Sequence, residues 1–520
     1  MNSRARYFLP SIGQTLFLSV FLTLSLLSGA TLLNDGDTGY HIRAGEYILE
    51  TFSVPHHDIF SFISPPPAWT AHEWLSEVIM ALLHRAFGLT GVVLFFIFLI
   101  SLTYPLLFRA LRTWQGNILA DILIILLVIV SSTLHWLARP HVFSLLLLVG
   151  WYHLLEAFQK EARNYLFLLP PLMLLWVNLH GGFVAGFLLL AIFFVGNVVA
   201  IRFPADYGKE QAKGKARVLG YTILACLLVS LINPYGYHIL SFPFQLVSKR
   251  YLMDNVNEFM SPNFHLVMPF KYLLFMTIAI FAVSLRKADI IEISLILIFT
   301  NMALVSARYI PIFCVITAPI LSRQAGFVLD QAEGKRFPNL KKKADNIARI
   351  DASMKGTISV FIAVLLVAGF AVAGKTEFHF DGTKKPVGAV EFLKSEHIPG
   401  NMFNNDEFGD YLIYAAYPRY RVFFDGRSDM YGEERAKEYR KVITLGAGWE
   451  EVIEKYDIGW VFFDADSVLS RSLQENERWR LIYADGVANI FVKDSPEYQD
   501  LIAKHGNVKP VMKEDRKEGD

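Results

Sequence analysis

Long apolar runs decide what this chain can be. Runs of about 18 or more apolar residues match the length a helix needs to cross a hydrocarbon core of roughly 30 Å. Eleven segments read as candidate spans: 12–33, 89–108, 118–136, 141–158, 164–179, 183–202, 218–233, 267–285, 289–305, 309–322 and 357–373. Backbone inside lipid must satisfy its own polar groups, so such runs are expected as helices. The balance of 53% hydrophobic to 19% charged residues over 520 positions is not that of a soluble domain. The first run holds Ser28, Gly29 and Ala30, small residues that would suit leader cleavage. Its length and the many spans behind it favour a retained anchor. A net charge of +1 points to no nucleic-acid partner. Cys226 and Cys314 both lie inside apolar runs and imply no disulfide framework.

Lys and Arg in the connecting segments set the orientation. One alternate set of connections carries 21 of them and the other set 7. The richer set is expected on the cytoplasmic side, which puts the N-terminus inside. The connection after the first run, residues 34–88, and everything after the eleventh run then face outward. From Lys375 the composition turns polar. Short β-like runs at Arg421–Phe424, Gly459–Phe463, Trp479–Tyr483 and Ala488–Val492 alternate with helical stretches such as Val387–Ser395 and Glu433–Leu445. That alternation predicts a small α/β domain. The division expected is 1–374 for the transmembrane domain (34–88 being its first outer loop), 375–505 for the outward α/β domain and 506–520 for a disordered tail.

The first outer loop concentrates acids and imidazoles: Asp35, Asp37, His41, Glu46, His56, His57, Asp58, His72 and Glu73. Such density suits acid–base or metal chemistry. Two amphipathic helices are expected within it, one beginning at Asp37 and one over Ala71–Phe87, joined by a Pro-rich connector; such helices can lie in a membrane interface. Structural roles compete. Asp37 can serve as a helix N-cap. Thr70 and Glu73 fit a capping box. The other outer connections place Arg139, His141, His180 and Arg308 near membrane depth, where ionisable groups are costly. Two arginines with imidazoles make a phosphate cradle, against which stands snorkelling of Arg308 to head groups. In the outward domain, Asp425, Gly426, Arg427 and Asp429 follow an apolar run. They read either as a site at a strand end or as turn chemistry with an Asp425–Arg427 pair. No HExxH or GxSxG motif is present in the sequence.

The chain resembles the GT-C superfamily of polytopic glycosyltransferases, whose members include protein O-mannosyltransferases, aminoarabinose transferases and oligosaccharyltransferase catalytic subunits. The likeness rests on the acidic loop after the first run, its two interfacial helices, an inside N-terminus and an outward C-terminal domain. The segment Asn405-Asp406-Glu407-Phe408-Gly409-Asp410-Tyr411 is loosely similar to the aromatic–Asp–Tyr–Gly region of oligosaccharyltransferase subunits, without their Trp-Trp pair. The DTGYH, AHEW and FFDGRSDMY segments look closer to uncharacterised bacterial members. The resemblance implies a glycosyltransferase of the bacterial inner membrane. It would move a sugar from a polyprenyl-phosphate carrier to a glycan, lipid or protein acceptor on the outer face, amid membrane lipid. It also implies that Asp37 or Asp35 is the base, with His41 and Glu73 assisting. Arg139, His141, His180 and Arg308 would meet the donor phosphate. His72, Asp425, Arg427 and Asp429 would serve the acceptor or the structure. A divalent cation, magnesium or manganese, would be held by Asp37 and His72 where one is used. A lipid-linked glycan flippase and a non-catalytic envelope assembly protein are the competing classes. A flippase would need ionisable residues at mid-span, and the polar groups cluster at span ends instead.

Overall fold

The computed structural model describes residues 5–113, 116–161, 163–203, 208–255, 259–284, 286–333 and 338–511. In chain order its helices are α1 (Ile12–Thr23, continuing through tighter and looser turns to Leu33), α2 (Asp37–Thr51), α3 (Trp74–Thr113), α4 (Ile118–Ser132), α5 (His141–Glu161), α6 (Leu169–Leu179), α7 (Phe183–Arg202), α8 (Lys209–Val229), α9 (His238–Ser248), α10 (Arg250–Asn255), α11 (Phe270–Val283), α12 (Ile290–Val305), α13 (Ile310–Glu333), α14 (Pro338–Ser353), α15 (Thr357–Val372), α16 (Val387–Ser395), α17 (Asp406–Ala416), α18 (Ser428–Ile443), α19 (Trp449–Lys455), α20 (Val468–Glu475) and α21 (Gln499–His505). The strands are β1 (Asn401–Asn404), β2 (Ile458–Asp464), β3 (Trp479–Ala484) and β4 (Ala488–Lys493).

Every expected apolar run contains a helix. Among the described residues, six helices are long and apolar enough to cross a membrane, or seven if α15 is joined to the bent helix before it. Three more, at 166–179, 270–283 and 290–305, are apolar but shorter. Six or seven of the expected eleven spans thus meet the length and composition for crossing among the described residues, and the full count of eleven is not confirmed. The run at 218–233 is the tail of α8, whose first turns are charged.

The chain divides into two compact units, Met1–Gly29 with Val93–Glu377, and Ala30–Val92 with Phe378–Asp520. The first is a helical bundle with one polar network toward each end of its helices. At one end Arg323 reaches Glu156 at 2.8 Å and Glu292 at 3.0 Å, Lys160 reaches Glu292 at 2.6 Å, and Arg112 reaches Asp121 at 2.8 Å. Buried charges persist only when paired in this way. The other end carries His135, His141 and His180. Asp121 lies in the first turn of α4 and His135 just past its end, about 21 Å apart at 1.5 Å per residue.

In the second unit the sequence between the first two apolar runs folds together with the C-terminal segment. The sheet order is β1-β2-β4-β3, with β1 parallel to β2 and the other pairs antiparallel. β2 and β4 are buried almost throughout, as a sheet covered by helices requires. The expected strand at Arg421–Phe424 is not one. Its backbone makes an isolated bridge from Val422 to Ser61, and the Asn404 side chain holds the Phe423 amide at 2.8 Å and the Phe424 carbonyl at 2.7 Å. Asn404 ends β1, a strand too short for an alternation pattern. The helix expected at Glu433–Leu445 starts earlier, at Ser428, with a break at Gly432. Most of the expected tail, from 512 on, lies outside the described residues.

The side-chain capping expected at two helix starts is not found. Asp37 is the first residue of α2 rather than its cap, and the Asp35 carboxylate accepts its amide N–H at 3.0 Å. Acids there also suit the helix dipole. α3 starts at Trp74, so Glu73 precedes the helix and cannot be the third residue of a capping box. α3 contains the expected amphipathic helix and the second apolar run, separated at Gly88 (φ 64°, ψ −167°), a conformation that favours glycine.

α2 is packed unusually closely. A Cβ on Gly45 would lie 1.9 Å from the Glu77 carbonyl oxygen, and one on Gly39 would lie 2.7 Å from the Tyr414 Cβ. Because the Glu77 obstacle is backbone, Gly45→Ala must push α2 off α3, at a cost of about 1–3 kcal/mol. A lowered unfolding midpoint of the detergent-solubilised protein, with helicity retained, is the expected result.

Candidate functional site

The close packing of α2 on α17 brings two acids together. Gly36 and Gly39 let α2 approach Asp410: a Cβ on Gly36 would sit 2.9 Å from the Asp410 Cβ. Asp410 is 3% exposed and Asp37 8%. The Gly426 N–H donates to Asp410 Oδ1 at 2.9 Å. A Cβ on Gly426 would fall 2.6 Å from Asp37 Oδ1 and 2.8 Å from Asp410 Oδ2. Both carboxyl groups thus converge on one point. Gly426 itself is exposed, while both carboxylic acids are buried. Burial first, and then the Asp37 and Asp425 charges, push the Asp410 carboxyl well above the usual carboxylate range, against the opposing Gly426 hydrogen bond. Such a pair holds a proton on one member while the other stays ionised, the arrangement general acid–base chemistry uses.

Beside it lies a buried guanidinium. Arg427 donates from Nε to Asp425 Oδ1 at 2.8 Å and from Nη2 to Asp425 Oδ2 at 2.7 Å, and Nη2 also meets Asp58 Oδ1 at 2.9 Å. The Tyr431 hydroxyl donates to Asp425 Oδ2 at 2.6 Å. The rings of Trp69, Phe60 and Tyr40 surround the guanidinium carbon at 4.6, 4.9 and 5.9 Å. The Asp425–Arg427 pair is buried and bidentate, and a second carboxylate reaches it from the segment between the first two apolar runs. Asp429, half-buried, is in the first turn of α18.

His41, one turn after Asp37 and 1% exposed, sits between two acids: Nδ1 is 3.3 Å from Glu77 Oε1 and Nε2 is 3.6 Å from Glu73 Oε2. His72 Nε2 lies 3.7 Å from Glu73 Oε1. Asp35, His41, Glu73 and His72 thus belong to the same unit as Asp37. On cation binding, Asp37 and Asp410 offer oxygen donors of the type magnesium and manganese take. Among the described residues, however, no group of three or more His, Cys, Asp or Glu is placed to hold a metal ion.

The residues expected at the donor phosphate lie in the helical bundle. The His135 and His141 rings are 5.7 Å apart and those of His141 and His180 6.4 Å. The network fixes protons. The Gly182 N–H donates to His180 Nδ1 at 2.9 Å, with Ser144 Oγ 2.7 Å from the same nitrogen and accepting the Trp176 indole at 2.6 Å. His180 Nδ1 is therefore an acceptor and its ring proton resides on Nε2. His141 Nε2 donates to the His135 carbonyl at 2.8 Å, and His135 Nε2 to the Ala307 carbonyl at 3.3 Å. Arg139 and Arg308 are half-buried; the Arg308 guanidinium covers the Phe259 ring at 5.2 Å.

Sequence reasoning gave no individual role to Asp410, Glu77 or Asp58. Asp410 and Asp58 stood in segments already singled out, but nothing in one sequence pairs Asp410 with Asp37 across some 370 residues.

In comparison with solved structures, the chain matches the apo crystal structure of the oligosaccharyltransferase from Archaeoglobus fulgidus at 9% identity and a TM-score of 0.55, covering 93% of this chain and 75% of that one. ArnT from Cupriavidus metallidurans, also apo, aligns at 11% identity and a TM-score of 0.48, covering 95% and 99%. No protein-family model and no curated protein matches. The chain shares its fold with that oligosaccharyltransferase, in keeping with the resemblance drawn from its sequence.

The Arg427 centre predicts a pH-dependent stability. Burial raises the Asp58 carboxyl, but the Arg427 charge and the Ser61 and Phe60 hydrogen bonds outweigh it, leaving it below the usual 3.8. A depressed acid contributes stability above its unfolded value and loses it as pH falls through its folded value. Asp58→Asn should therefore show its full deficit at neutral pH, closing as unfolding midpoints are followed down to about pH 3. Arg427→Leu strands two buried carboxylates and should cost on the order of 3–5 kcal/mol.

Proposed function

We propose that the protein is a membrane glycosyltransferase that takes a sugar from a polyprenyl-phosphate carrier and delivers it to a hydroxyl-bearing glycan, lipid or protein acceptor. The GT-C fold supports glycosyl transfer within a membrane. The convergence of Asp37 and Asp410 on the exposed backbone at Gly426 carries the assignment of the base. A carboxylate beside a protonated neighbour, next to an exposed stretch of backbone, suits proton abstraction from an acceptor.

In this reading Asp37 takes the acceptor hydroxyl proton. The acceptor oxygen forms its bond to the sugar C1 as the C1–O bond to the carrier phosphate breaks, and the bonding pair leaves with that phosphate. Asp410 keeps its proton and tempers the charge beside Asp37. Asp35 holds the Asp37 amide, and His41 with Glu73 and Glu77 supports the helix face behind it. Arg139, His141, His180 and Arg308 hold the leaving lipid phosphate, where charge develops; the Nε2–H of His180 and the two guanidinium groups supply donors. A lipid-phosphate donor also requires no nucleotide site. The setting is a bacterial inner membrane with the N-terminus cytoplasmic and the chemistry on the outer face. The Lys/Arg asymmetry supports that orientation.

The decisive assay is sugar transfer from lipid-linked donors in membranes. Asp37→Asn should lower turnover by about 100-fold or more, the range of a lost general base. Gly426→Ala, which places a methyl group between the two carboxyls, should reduce turnover while the protein remains folded. Undiminished transfer by folded Asp37→Asn would remove the residue from the mechanism.

A further inference from the structure

The glycosyl-transfer reading leaves one corner of the helical bundle unused. α14 is polar and α15 apolar, and their axes bend by 63° across the break between Ser353 and Thr357. Lys342, Lys343, Arg349 and Lys355 are all exposed along α14 and at this elbow, and Ile350 beside them is 57% exposed. The N-terminal segment folds onto the elbow. The Lys355 N–H donates to the Arg6 carbonyl at 2.8 Å, and the Ile12 N–H to Asp351 Oδ1 at 2.6 Å. A Cβ on Gly356 would stand 2.5 Å from the Pro10 Cα, so the two segments touch backbone to backbone. This delivers exposed Arg6, Tyr7, Phe8 and Leu9 to the same corner, with Lys355 Nζ 5.9 Å from the Tyr7 ring centroid. Two acids stand against these five cations: exposed Asp345, and Asp351, engaged by the Ile12 amide.

A purely charged patch would suit an acidic peptide or a nucleic acid equally well. Here the cations are interleaved with exposed aromatic and aliphatic side chains. They also surround the starts of α1 and α15, two apolar helices that pack on each other. Ammonium and guanidinium groups at phosphate level, with rings at the boundary with the acyl chains, are what a bilayer surface selects. We propose that this corner is a seat for anionic phospholipid: the cations of α14 and the elbow bind lipid phosphodiester headgroups, while Tyr7, Phe8, Leu9 and Ile350 enter the interface beneath them.

The test uses the full-length protein in bilayers of phosphatidylcholine containing about 30% phosphatidylglycerol, a fraction that gives an anionic surface. Lipids retained after gentle detergent extraction are quantified by mass spectrometry. Phosphatidylglycerol should be enriched about threefold over the bulk, falling toward bulk composition near 1 M salt, where screening reaches about 3 Å. The triple variant Lys342→Gln, Lys343→Gln, Arg349→Gln should retain lipid at bulk composition with unchanged helicity. Bulk composition around the wild-type protein, enrichment indifferent to salt, or equal enrichment around the variant would each overturn the assignment. None of these readouts depends on transfer activity.

Discussion

The second unit depends on one buried guanidinium. Arg427 stands where a segment from early in the chain and one from late in it must be joined, and it is paired through Nε and Nη2 with a carboxylate from each, Asp58 and Asp425, while its buried Nη1 has no hydrogen-bond partner among the described residues. A charge removed from water needs such partners to be tolerated at all. The aromatic walls of Trp69, Phe60 and Tyr40 exclude solvent and leave the guanidinium few alternatives. The interaction is expensive to build and poor as a source of net stability. Its value is specificity: only one docking of loop on domain brings both acids to the same fork.

That docking sets the position of the acid pair. With Arg427 held by Asp425 and Asp58, the adjoining Gly426 is fixed, and its N–H anchors Asp410. The glycines of α2 then admit Asp37 to the same point. The electrostatic strain of two neighbouring acids is confined to a place where the backbone is exposed. Perturbed carboxyl groups are a recurrent mark of chemistry, whereas the equally buried Asp58, fully engaged by hydrogen bonds, serves the fold.

Much of this was readable in the residues, and the failures have physical causes. Apolar period and length located the bundle helices, because lipid imposes one rule on every backbone group. β2, β3 and β4 were found because each carries a short run of apolar, aromatic and β-branched residues. β1, with four residues, and the Arg421–Phe424 segment, pinned by an asparagine side chain, obey no pattern visible locally. The acids of the first outer loop stood out by density, and the pairing of Asp425 with Arg427 by proximity. Asp410 did not, since its role comes from a partner hundreds of positions away. Glycines 36, 39 and 45 gave no signal either: what matters about them is an absent side chain.

The imidazoles at one end of the bundle are held by backbone groups. The Gly182 N–H donates to His180 Nδ1, and the Nε2 atoms of His135 and His141 donate to the carbonyls of Ala307 and His135. A Cβ at position 182 would stand 2.4 Å from Ser144 Oγ and 2.8 Å from His180 Nδ1. The aim of the His180 ring is thus written into its neighbour in the turn, and a change at position 182 would rotate the imidazole while leaving the histidine itself in place.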